Sequence, residues 1–420
     1  MKRGSRHKPR GKGEKMAWFW STGVLECWVS DRSITPLLQN SSTPCLYSRL
    51  SRIACCLLIF FAFTQSAPAQ TKPAAQEEWG KTLAAAKKEG QVNVYIGGWG
   101  VVLDEGVFQK RFPEIKLVGV ALRGGGDIAK RILAERRAGK YLADVSIEGF
   151  NSNYNILYAA KVFDPIKPAL ILPEVADESK WWRGKHSYLD PEGQYVLRFN
   201  GVPQTGAAHY NSQQVNPKEF TSFWDFLNPK WKGKIEARDA RVPGPGNGAL
   251  RFFYHNPELG PQFIRRLFSE MEITLFRDFR QGPDWLAAGK FVICFFCSDI
   301  PKARRQGLPV DSFGAMKEGA GLVSQYGTIG LANNAPHPNA AKVFINWFLS
   351  REGQVTLQRA LAKTSDEAPD SLRIDIPKDD VPAENKRMDG MKYLDLDVEG
   401  KLEMKPIVDV IEEALAAIKK

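Results

Sequence analysis

The chain has 420 residues, which is enough for two ordinary domains with a sizeable buried core. Its composition, 43% hydrophobic and 25% charged, is typical of a soluble globular protein and excludes a membrane protein or a disordered chain. The formal net charge of +11 is concentrated near the N-terminus, because residues 1–69 hold 10 of the 58 Lys and Arg but 3 of the 47 Asp and Glu. The remaining 48 basic and 44 acidic residues give only +4, which argues against nucleic-acid binding.

Residues 49–69 have the parts of a secretory signal peptide. Arg49 and Arg52 are basic, 53–63 is an apolar run (IACCLLIFFAF), and 67–69 offers an A-x-A cleavage site. The run is too short for a membrane-spanning helix, which needs about 20 residues. A buried core helix is the alternative, but the Pro-, Ala- and Gln-rich stretch that follows argues against it. We therefore expect a periplasmic protein with a cleavable signal peptide.

Residues 1–48 precede this signal and resemble neither a domain nor an anchor. We interpret them as a non-native N-terminal extension, produced by a start codon placed too far upstream. Cleavage near residue 69 would remove four of the six cysteines and leave Cys294 and Cys297. Disulfides are permitted in the periplasm, although a chain of this size does not need one.

After the leader, strands and helices alternate. The pattern predicts a helix over 77–90, a strand over 92–96, a helical segment ending near 112, a strand over 115–121, a helix over 127–138 and a strand over 143–147. This spacing is typical of βαβ units, in which a parallel sheet carries helices on both faces.

A second alternation follows an irregular region and an extended segment over 195–210. The pattern predicts helices at 223–227, 249–254, 258–269 and 283–288, strands at 234–237, 291–296 and 326–331, and a helix of about 20 residues after Ala335. Two α/β units joined by an extended segment, with the chain later returning, is the predicted architecture.

Catalytic patterns are sparse. The four histidines after the leader (His186, His209, His255 and His337) lack the spacing of a metal helix or a nucleophile elbow, and we interpret them as surface or turn residues. No catalytic residue, metal or cofactor is predicted.

Two glycine-rich loops could bind an anion. The loop 123–127 (RGGGD) lies between a strand and a helix, and although it lacks G-x-G-x-x-G spacing, it offers free N–H groups and a guanidinium. The loop 244–248 (GPGNG) can bring backbone N–H groups close to a ligand. A plain turn is the alternative for each loop.

The pair Cys294 and Cys297 raises two alternatives, a redox dithiol or half of a zinc site. The surrounding residues, KFVICFFCSD, favour a buried strand. Positions three apart on a strand point to opposite faces, so we expect the two sulfurs not to bond. A zinc site would need two further ligands, and no second pair exists.

Residues 335–354 (APHPNAAKVFINWFLSREGQ) resemble a signature of bacterial periplasmic solute-binding proteins of ABC importers, in the group that includes ferric-iron binders. The segments FPEI at 112–115 and LNPKWKGK at 227–234 are also similar to this family, and the resemblance covers about 77–365. It implies a type II, Venus-flytrap α/β fold with a ligand cleft between two lobes.

The resemblance also implies a domain organisation and partners. We expect lobe 1 over 77–207 plus 324–365, lobe 2 over 208–323, and a tail over 366–420 that packs on the lobes. The hinge crossings would be 195–207 and 322–330. The expected partners of this monomer are a small-molecule solute and an ABC permease in the inner membrane.

Ligands of such sheets lie beyond the carboxyl ends of the strands, which selects the candidate binding residues. They are Gly98, Trp99, Arg123, Gly124, Glu148, Gly149, Asn151, Asp239, Asn247, Gly248, Phe296 and Cys297.

Ferric-binding members carry adjacent tyrosines after a segment like Leu286–Lys290, but this chain has Phe295, Phe296 and Cys297 there, and Tyr326 lies too far along. A small organic anion is therefore the preferred ligand. A ferric-iron-binding protein is one alternative, and a secreted enzyme on the same fold, which would lack an evident nucleophile–base pair, is the other.

Overall fold

The computed structural model describes residues 72–122, 125–242, 246–364 and 368–418. The predicted extension at 1–48, the signal peptide at 49–69 and two candidate ligand residues, Arg123 and Gly124, lie outside these ranges. In the described ranges, no helix combines the length and the hydropathy that crossing a bilayer requires.

The structure alternates strands and helices through most of its length. The α-helices are α1 (Lys72–Glu89), α2 (Val101–Asp104), α3 (Val107–Arg111), α4 (Gly125–Arg137), α5 (Pro173–Ala176), α6 (Asn247–His255), α7 (Gly260–Glu270), α8 (Gln281–Ala287), α9 (Ile300–Arg305), α10 (Pro338–Leu349), α11 (Arg351–Thr364) and α12 (Lys405–Ile418). The strands are β1 (Gln91–Gly97), β2 (Lys116–Leu122), β3 (Val145–Glu148), β4 (Phe163–Asp164), β5 (Ser187–Tyr188), β6 (Leu197–Arg198), β7 (Val202–Gln204), β8 (Ala208–Asn211), β9 (Ile235–Arg238), β10 (Thr274–Phe276), β11 (Ile293–Phe295), β12 (Val310–Ser312), β13 (Ala320–Val323), β14 (Thr328–Ala332) and β15 (Tyr393–Asp395). Shorter turns are a π-helix (Asn151–Tyr158) and the 3-10 helices Lys167–Ala169, Glu178–Lys180, Trp182–Gly184, Pro217–Glu219, Phe223–Leu227, Pro229–Trp231 and Ala383–Asn385.

The first sheet has the order β2-β1-β3-β14-β6-β5, with β4 beside β14. Strand β1 runs parallel to β2 and β3, whereas β14 returns antiparallel to β3. Alternate residues of β1 face opposite sides: Val94 joins the core that contains Phe344 of α10, and Tyr95 packs in the cluster that contains Ile128 of α4. Both faces are therefore covered by helices, and we call this body the first lobe.

The second sheet has the order β10-β9-β11-β8-β12, and β9 runs parallel to both β10 and β11. On one face, Ile235 and Ile293 pack in an aromatic-rich core with Phe253 of α6. On the other face, Cys294 packs with Leu286 of α8. We call this body the second lobe. All strands of the first sheet lie within the ranges predicted for lobe 1, and all strands of the second sheet lie within the range predicted for lobe 2. The exact boundaries of the lobes remain a prediction.

A small third sheet connects the lobes. We call it the connecting sheet; in it, β13 pairs antiparallel with β7 and parallel with β15. Strand β15 lies in the C-terminal tail, so the tail supplies a third crossing beside the two expected hinge segments. The tail contributes Leu372 to the core of the first lobe and Leu396 to that of the second. Arg198 of β6 donates to both carboxylate oxygens of Asp395, at 2.8 and 2.7 Å, which ties the tail to the first sheet.

Two of the predicted elements end earlier in the structure than the sequence pattern indicates. The strand predicted over 291–296 ends at Phe295, because Phe296 has a left-handed backbone with φ of 63°. The long helix predicted after Ala335 is two helices, α10 and α11, separated by Ser350 in an extended conformation. The Ser350 hydroxyl accepts a hydrogen bond from the Gly353 N–H at 3.2 Å and so caps α11.

The position of the tail yields a prediction. Leu372 is 1% exposed in the first-lobe core, whereas Ile374, two residues later, is 56% exposed. We expect Leu372→Ala to lower the free energy of unfolding by about 2–5 kcal/mol, since the substitution leaves a cavity. Ile374→Ala, the matched control, should change it by less than about 0.5 kcal/mol. Urea denaturation of both variants measures the difference, and equal effects would show that the tail does not belong to the core.

Candidate ligand-binding site

The carboxyl edge of the first sheet is formed where β1 and β3 end, at Gly97 and Glu148. The Glu148 carboxylate lies against the backbone of Gly97, where a Cβ would come within 2.6 Å of Glu148 Oε2. Glu148 is fully buried, and its two oxygens have no hydrogen-bond partner among the described residues. Burial raises the pKa of Glu148 to about 9, so this side chain is a neutral acid that can donate a hydrogen bond near pH 7.

The segment 324–328, which leads into β14, packs against this edge. A Cβ at Gly149 would lie 2.5 Å from the backbone oxygen of Gln325, so glycine permits the close approach. Thr328 Oγ1 donates to the backbone oxygen of Glu148 at 2.6 Å. These contacts hold the returning strand directly beside the Glu148 carboxyl group.

Two more buried polar groups belong to this edge. The amide of Asn200, which lies against Gly327, and the hydroxyl of Ser324 have no hydrogen-bond partner among the described residues. An unsatisfied buried polar group costs about 1–3 kcal/mol. Glu148, Asn200 and Ser324 therefore each hold buried polar atoms whose hydrogen bonds a bound polar ligand or ordered water would satisfy.

The other candidates of the first lobe have different roles. Trp99 is 1% exposed, and its ring packs at 6.3 Å from Phe199 and 5.7 Å from Tyr326, so it supports the loop rather than facing a ligand. Gly98 adopts a left-handed backbone beneath the Tyr326 ring. Asn151 is exposed at the start of the π-helix and accepts a hydrogen bond from Asn155.

The carboxyl edge of the second sheet carries a group of arginines. We call Arg238, Asp239, Arg241 and Arg277 the arginine cluster. It forms because β9 and β10 are parallel and end side by side. Two of the guanidinium groups, those of Arg241 and Arg277, bind one carboxylate, which leaves a net charge of +1 on these three side chains. Arg238 also lies 4.3 Å from the ring centroid of Phe279, which is 47% exposed.

Asp239 orders this cluster instead of offering a free carboxylate to a ligand. It accepts hydrogen bonds from Arg241 at 2.7 and 2.9 Å and from Arg277 at 3.0 Å. Burial alone would raise the pKa of Asp239, but the hydrogen bonds from Arg241 and Arg277 lower it to about 2. The carboxylate is thus always ionised near neutral pH, and it presents two guanidinium groups at the sheet edge.

A cavity of about 390 Å³ lies beyond the end of β11, between the second lobe, the connecting sheet and the tail. Its lining includes Gln204, His209, Gly246, Cys297 and Ser312. Cys297, one of the predicted binding residues, therefore lines a cavity.

The neighbouring candidates pack against protein. Gly248, near the start of α6, lies against the Gln204 side chain, whose Oε1 would be 2.5 Å from a Cβ at this position. Asn247 is the half-buried first residue of that helix. Phe296 is 2% exposed and packs on Phe253, so it belongs to the core of the second lobe.

The prediction that Cys294 and Cys297 cannot bond is wrong, because the two residues form a disulfide with Cα atoms 6.0 Å apart. The prediction assumed a strand that continues through Cys297. The left-handed backbone of Phe296 turns the chain back, which brings the second sulfur to the first. Both sulfurs and a carboxylate oxygen of Glu236 lie within 4.8 Å of one another. A metal would need free thiolates there, and the disulfide leaves none.

The residues named from the sequence do not include Asn200, Ser324 or the three arginines of the cluster. Arg238-Asp239-Ala240-Arg241 directly follows a predicted strand, and this run of charge at a strand end was a usable signal for the cluster. Asn200 and Ser324 had no comparable signal, since their position depends on how the connecting sheet pairs.

No protein-family model matches the chain. An uncharacterized protein of Haemophilus influenzae is 24% identical over 236 residues, which are 52% of this chain and 64% of that protein. The match thus spans less than two thirds of the relative, and its identity is too low to establish a family.

Solved structures give a broader likeness. Apo FutA2 from Synechocystis PCC6803 aligns with a TM-score of 0.51 and 14% identity over 77% of this chain and 98% of its own. FutA (IdiA) of Trichodesmium, in complex with iron and citrate, aligns with a TM-score of 0.52 and 17% identity. The alignment covers 78% of this chain and 99% of FutA. A ferric binding protein of Bordetella aligns with a TM-score of 0.55 and 15% identity, over 77% of this chain and 98% of its own. At these identities the likeness shows the fold, so the two-lobed α/β architecture predicted from the sequence is confirmed.

The buried acid of the first lobe yields a prediction. In the unfolded chain, Glu148 ionises near its ordinary pKa of 4.5. In the folded protein, burial raises this pKa to about 9, so the side chain stays protonated at higher pH. Stability is therefore lost as the pH rises through this window, by at most about 1.4 kcal/mol per pH unit. We expect the unfolding free energy of Glu148→Gln, minus that of the wild type, to increase between about pH 5 and about pH 8. Glu403→Gln, at an exposed position, is the control. If the difference in unfolding free energy from the wild type does not change with pH for either variant, the prediction is contradicted.

Proposed function

We propose that this chain, which has the fold of the periplasmic solute-binding proteins, is the substrate-binding component of an ABC importer for a small organic anion. It would capture the solute in the periplasm as a monomer and deliver it to a permease in the inner membrane. The observation that supports an anion most directly is the pair Arg241 and Arg277, two guanidinium groups that share the single carboxylate of Asp239 at the carboxyl edge of the second sheet.

The two edges are chemically complementary for such a ligand. A carboxylate or phosphate group would accept charge-assisted hydrogen bonds from Arg241 and Arg277, which Asp239 already orients. The first lobe offers the neutral acid Glu148 and the amide of Asn200 as hydrogen-bonding groups. Exposed Phe279 supplies apolar contact area beside the cluster.

Ligand capture would proceed by closure of the two lobes about the connecting sheet. A ligand that contacts both lobes favours the closed state, because only that state makes both sets of contacts. The closed state would then be the form that a permease recognises. Binding of this kind requires no bond to break in the solute, so no catalytic residue is needed.

Ferric iron is the second candidate, because two of the similar structures are described as iron-bound or ferric-binding. Fe³⁺ is a hard cation and prefers anionic oxygen ligands. At 295–297 this chain has two buried phenylalanines and a disulfide-bonded cysteine, none of which can supply such an oxygen. The organic anion is therefore the better-supported ligand.

The arginine cluster yields a binding prediction. Native mass spectrometry should find an anion on the purified protein, and citrate is the first probe for calorimetric titration. We expect Arg277→Ala to weaken anion binding by roughly tenfold or more, since a hydrogen bond to a charged group is worth about 1.5–3 kcal/mol. Arg265→Ala removes an exposed arginine that pairs with Glu413, outside the cluster, and serves as the control. Equal affinities for both variants would contradict the assignment.

Iron binding can be tested separately. We expect iron loading to produce no visible phenolate-to-iron absorption band, because residues 295–297 lack tyrosine. Titration of the protein with a ferric salt, followed by absorbance spectroscopy, measures this. A band that saturates near one iron per chain would overturn the preference for an organic anion.

A further inference from the structure

The disulfide occupies the helix-covered face of the second sheet, and Glu236 stands beside it. Cys294 of β11 is in register with Glu236 of β9 on one side and with His209 of β8 on the other. Residues in register on neighbouring strands point to the same face. The carboxyl group of Glu236 therefore faces the disulfide, and one of its oxygens lies within 4.8 Å of both sulfurs.

Glu236 has no structural partner that would explain its burial. It is fully buried, and neither carboxylate oxygen has a hydrogen-bond partner among the described residues. A buried carboxyl group without partners is costly, and its charged form more so. Burial raises the pKa of Glu236 to about 8, against the opposing field of Lys290. The group is thus a proton-carrying acid placed next to a bond whose cleavage consumes a proton.

The two sulfurs differ in access. Cys294 is 0% exposed and packs with Leu286 and Ile300, so no reagent reaches it directly. Cys297 is 8% exposed and lines the cavity of about 390 Å³, which is large enough for a small thiol compound. Attack on the disulfide can therefore occur at Cys297 alone, and Cys294 must be the leaving group.

We propose that Cys294–Cys297 is a redox-active disulfide that exchanges with a small thiol in this cavity, with Glu236 as the proton donor to Cys294. This activity goes beyond solute binding and does not depend on which solute is carried. No element of the proposed import mechanism requires it.

The thiolate of a small thiol attacks Cys297 Sγ and forms a mixed disulfide, while the Cys294–Cys297 bond breaks and its electron pair leaves on Cys294. Glu236 donates its proton to the Cys294 thiolate. A second thiolate attacks the sulfur of the bound small thiol and releases Cys297 as a thiolate. Cys297 takes a proton from solvent through the cavity, and Glu236 regains the proton that it gave to Cys294 from solvent. Two small thiols are oxidised to one disulfide, and the cysteine pair gains two electrons.

The other titratable groups around Glu236 do not compete for this role. His209 faces the same cluster from β8, but burial lowers its pKa to about 4, so it is neutral. Lys290 follows α8, is exposed, and lies 3.6 Å from the Trp285 ring centroid. Asp284 of α8 and Arg304 of α9 are exposed to solvent. Glu236 is the group in position to exchange a proton with Cys294.

The asymmetry of the sulfurs is tested with two matched variants of the whole chain. Cys294→Ser leaves the cavity cysteine, and Cys297→Ser leaves the buried one. With glutathione disulfide as the probe, intact-mass analysis should show a mixed disulfide on Cys294→Ser in native buffer, at least tenfold faster than on Cys297→Ser. Equal rates, or reaction of either variant only after denaturation, would overturn the proposal.

The role of Glu236 is tested by the pH profile of disulfide reduction. Reduced glutathione is the probe, and the rate is divided by its thiolate concentration. In the wild type this quotient should fall roughly tenfold from about pH 7 to about pH 9, as Glu236 loses its proton near pH 8. Glu236→Gln should show a lower and pH-independent quotient, while Glu270→Gln, an exposed control, keeps the fall. A flat wild-type profile overturns the assignment even if Glu236→Gln does not fold.

Discussion

The antiparallel pairing of β7 with β13 fixes how the rest of the molecule is arranged. Its register places Pro203 opposite Leu322 and Gln204 opposite Gly321. Proline lacks a backbone donor, and it is tolerated here because β7 is the edge strand of the connecting sheet. The same register brings the residues that follow β13 onto the carboxyl edge of the first sheet. Two buried polar groups without hydrogen-bond partners among the described residues, those of Asn200 before β7 and Ser324 after β13, thus lie where the chain crosses between its lobes.

The central sheet of each lobe buries a carboxyl group that has no hydrogen-bond partner among the described residues. Glu148 ends β3 and Glu236 lies within β9, and both are fully buried. In each case burial favours the neutral form, so the cost of a desolvated charge is avoided by holding the proton. A neutral acid can donate a hydrogen bond or release a proton, which a salt-bridged carboxylate cannot. Asp239 shows the contrast, since its arginine partners keep it ionised.

The fold was largely predictable, and the site was predictable only in part. Strand–helix alternation and the motif at 335–354 indicated two α/β lobes, because both depend on local sequence. The left-handed backbone of Phe296 could not be predicted, since this conformation is rare for an aromatic residue and no glycine or asparagine marks the turn. The pairing of β15 with β13 joins residues more than seventy positions apart, and its short strand carries no alternating pattern. Trp99 and Asp239 do follow the ends of strands, as the pattern predicted. The Trp99 ring, however, packs on Tyr326, and the Asp239 carboxylate accepts a hydrogen bond from Arg277.

The contact between Gly97 and Glu148 has a consequence for how this sequence can vary. No side chain fits at position 97 while the carboxyl group of residue 148 occupies its present place, since even a methyl carbon would come within 2.6 Å of it. A larger residue at 97 becomes tolerable only if residue 148 is shortened. The two positions, which lie on adjacent parallel strands, are therefore expected to co-vary among homologous sequences, with glycine at 97 accompanying a long acidic residue at 148.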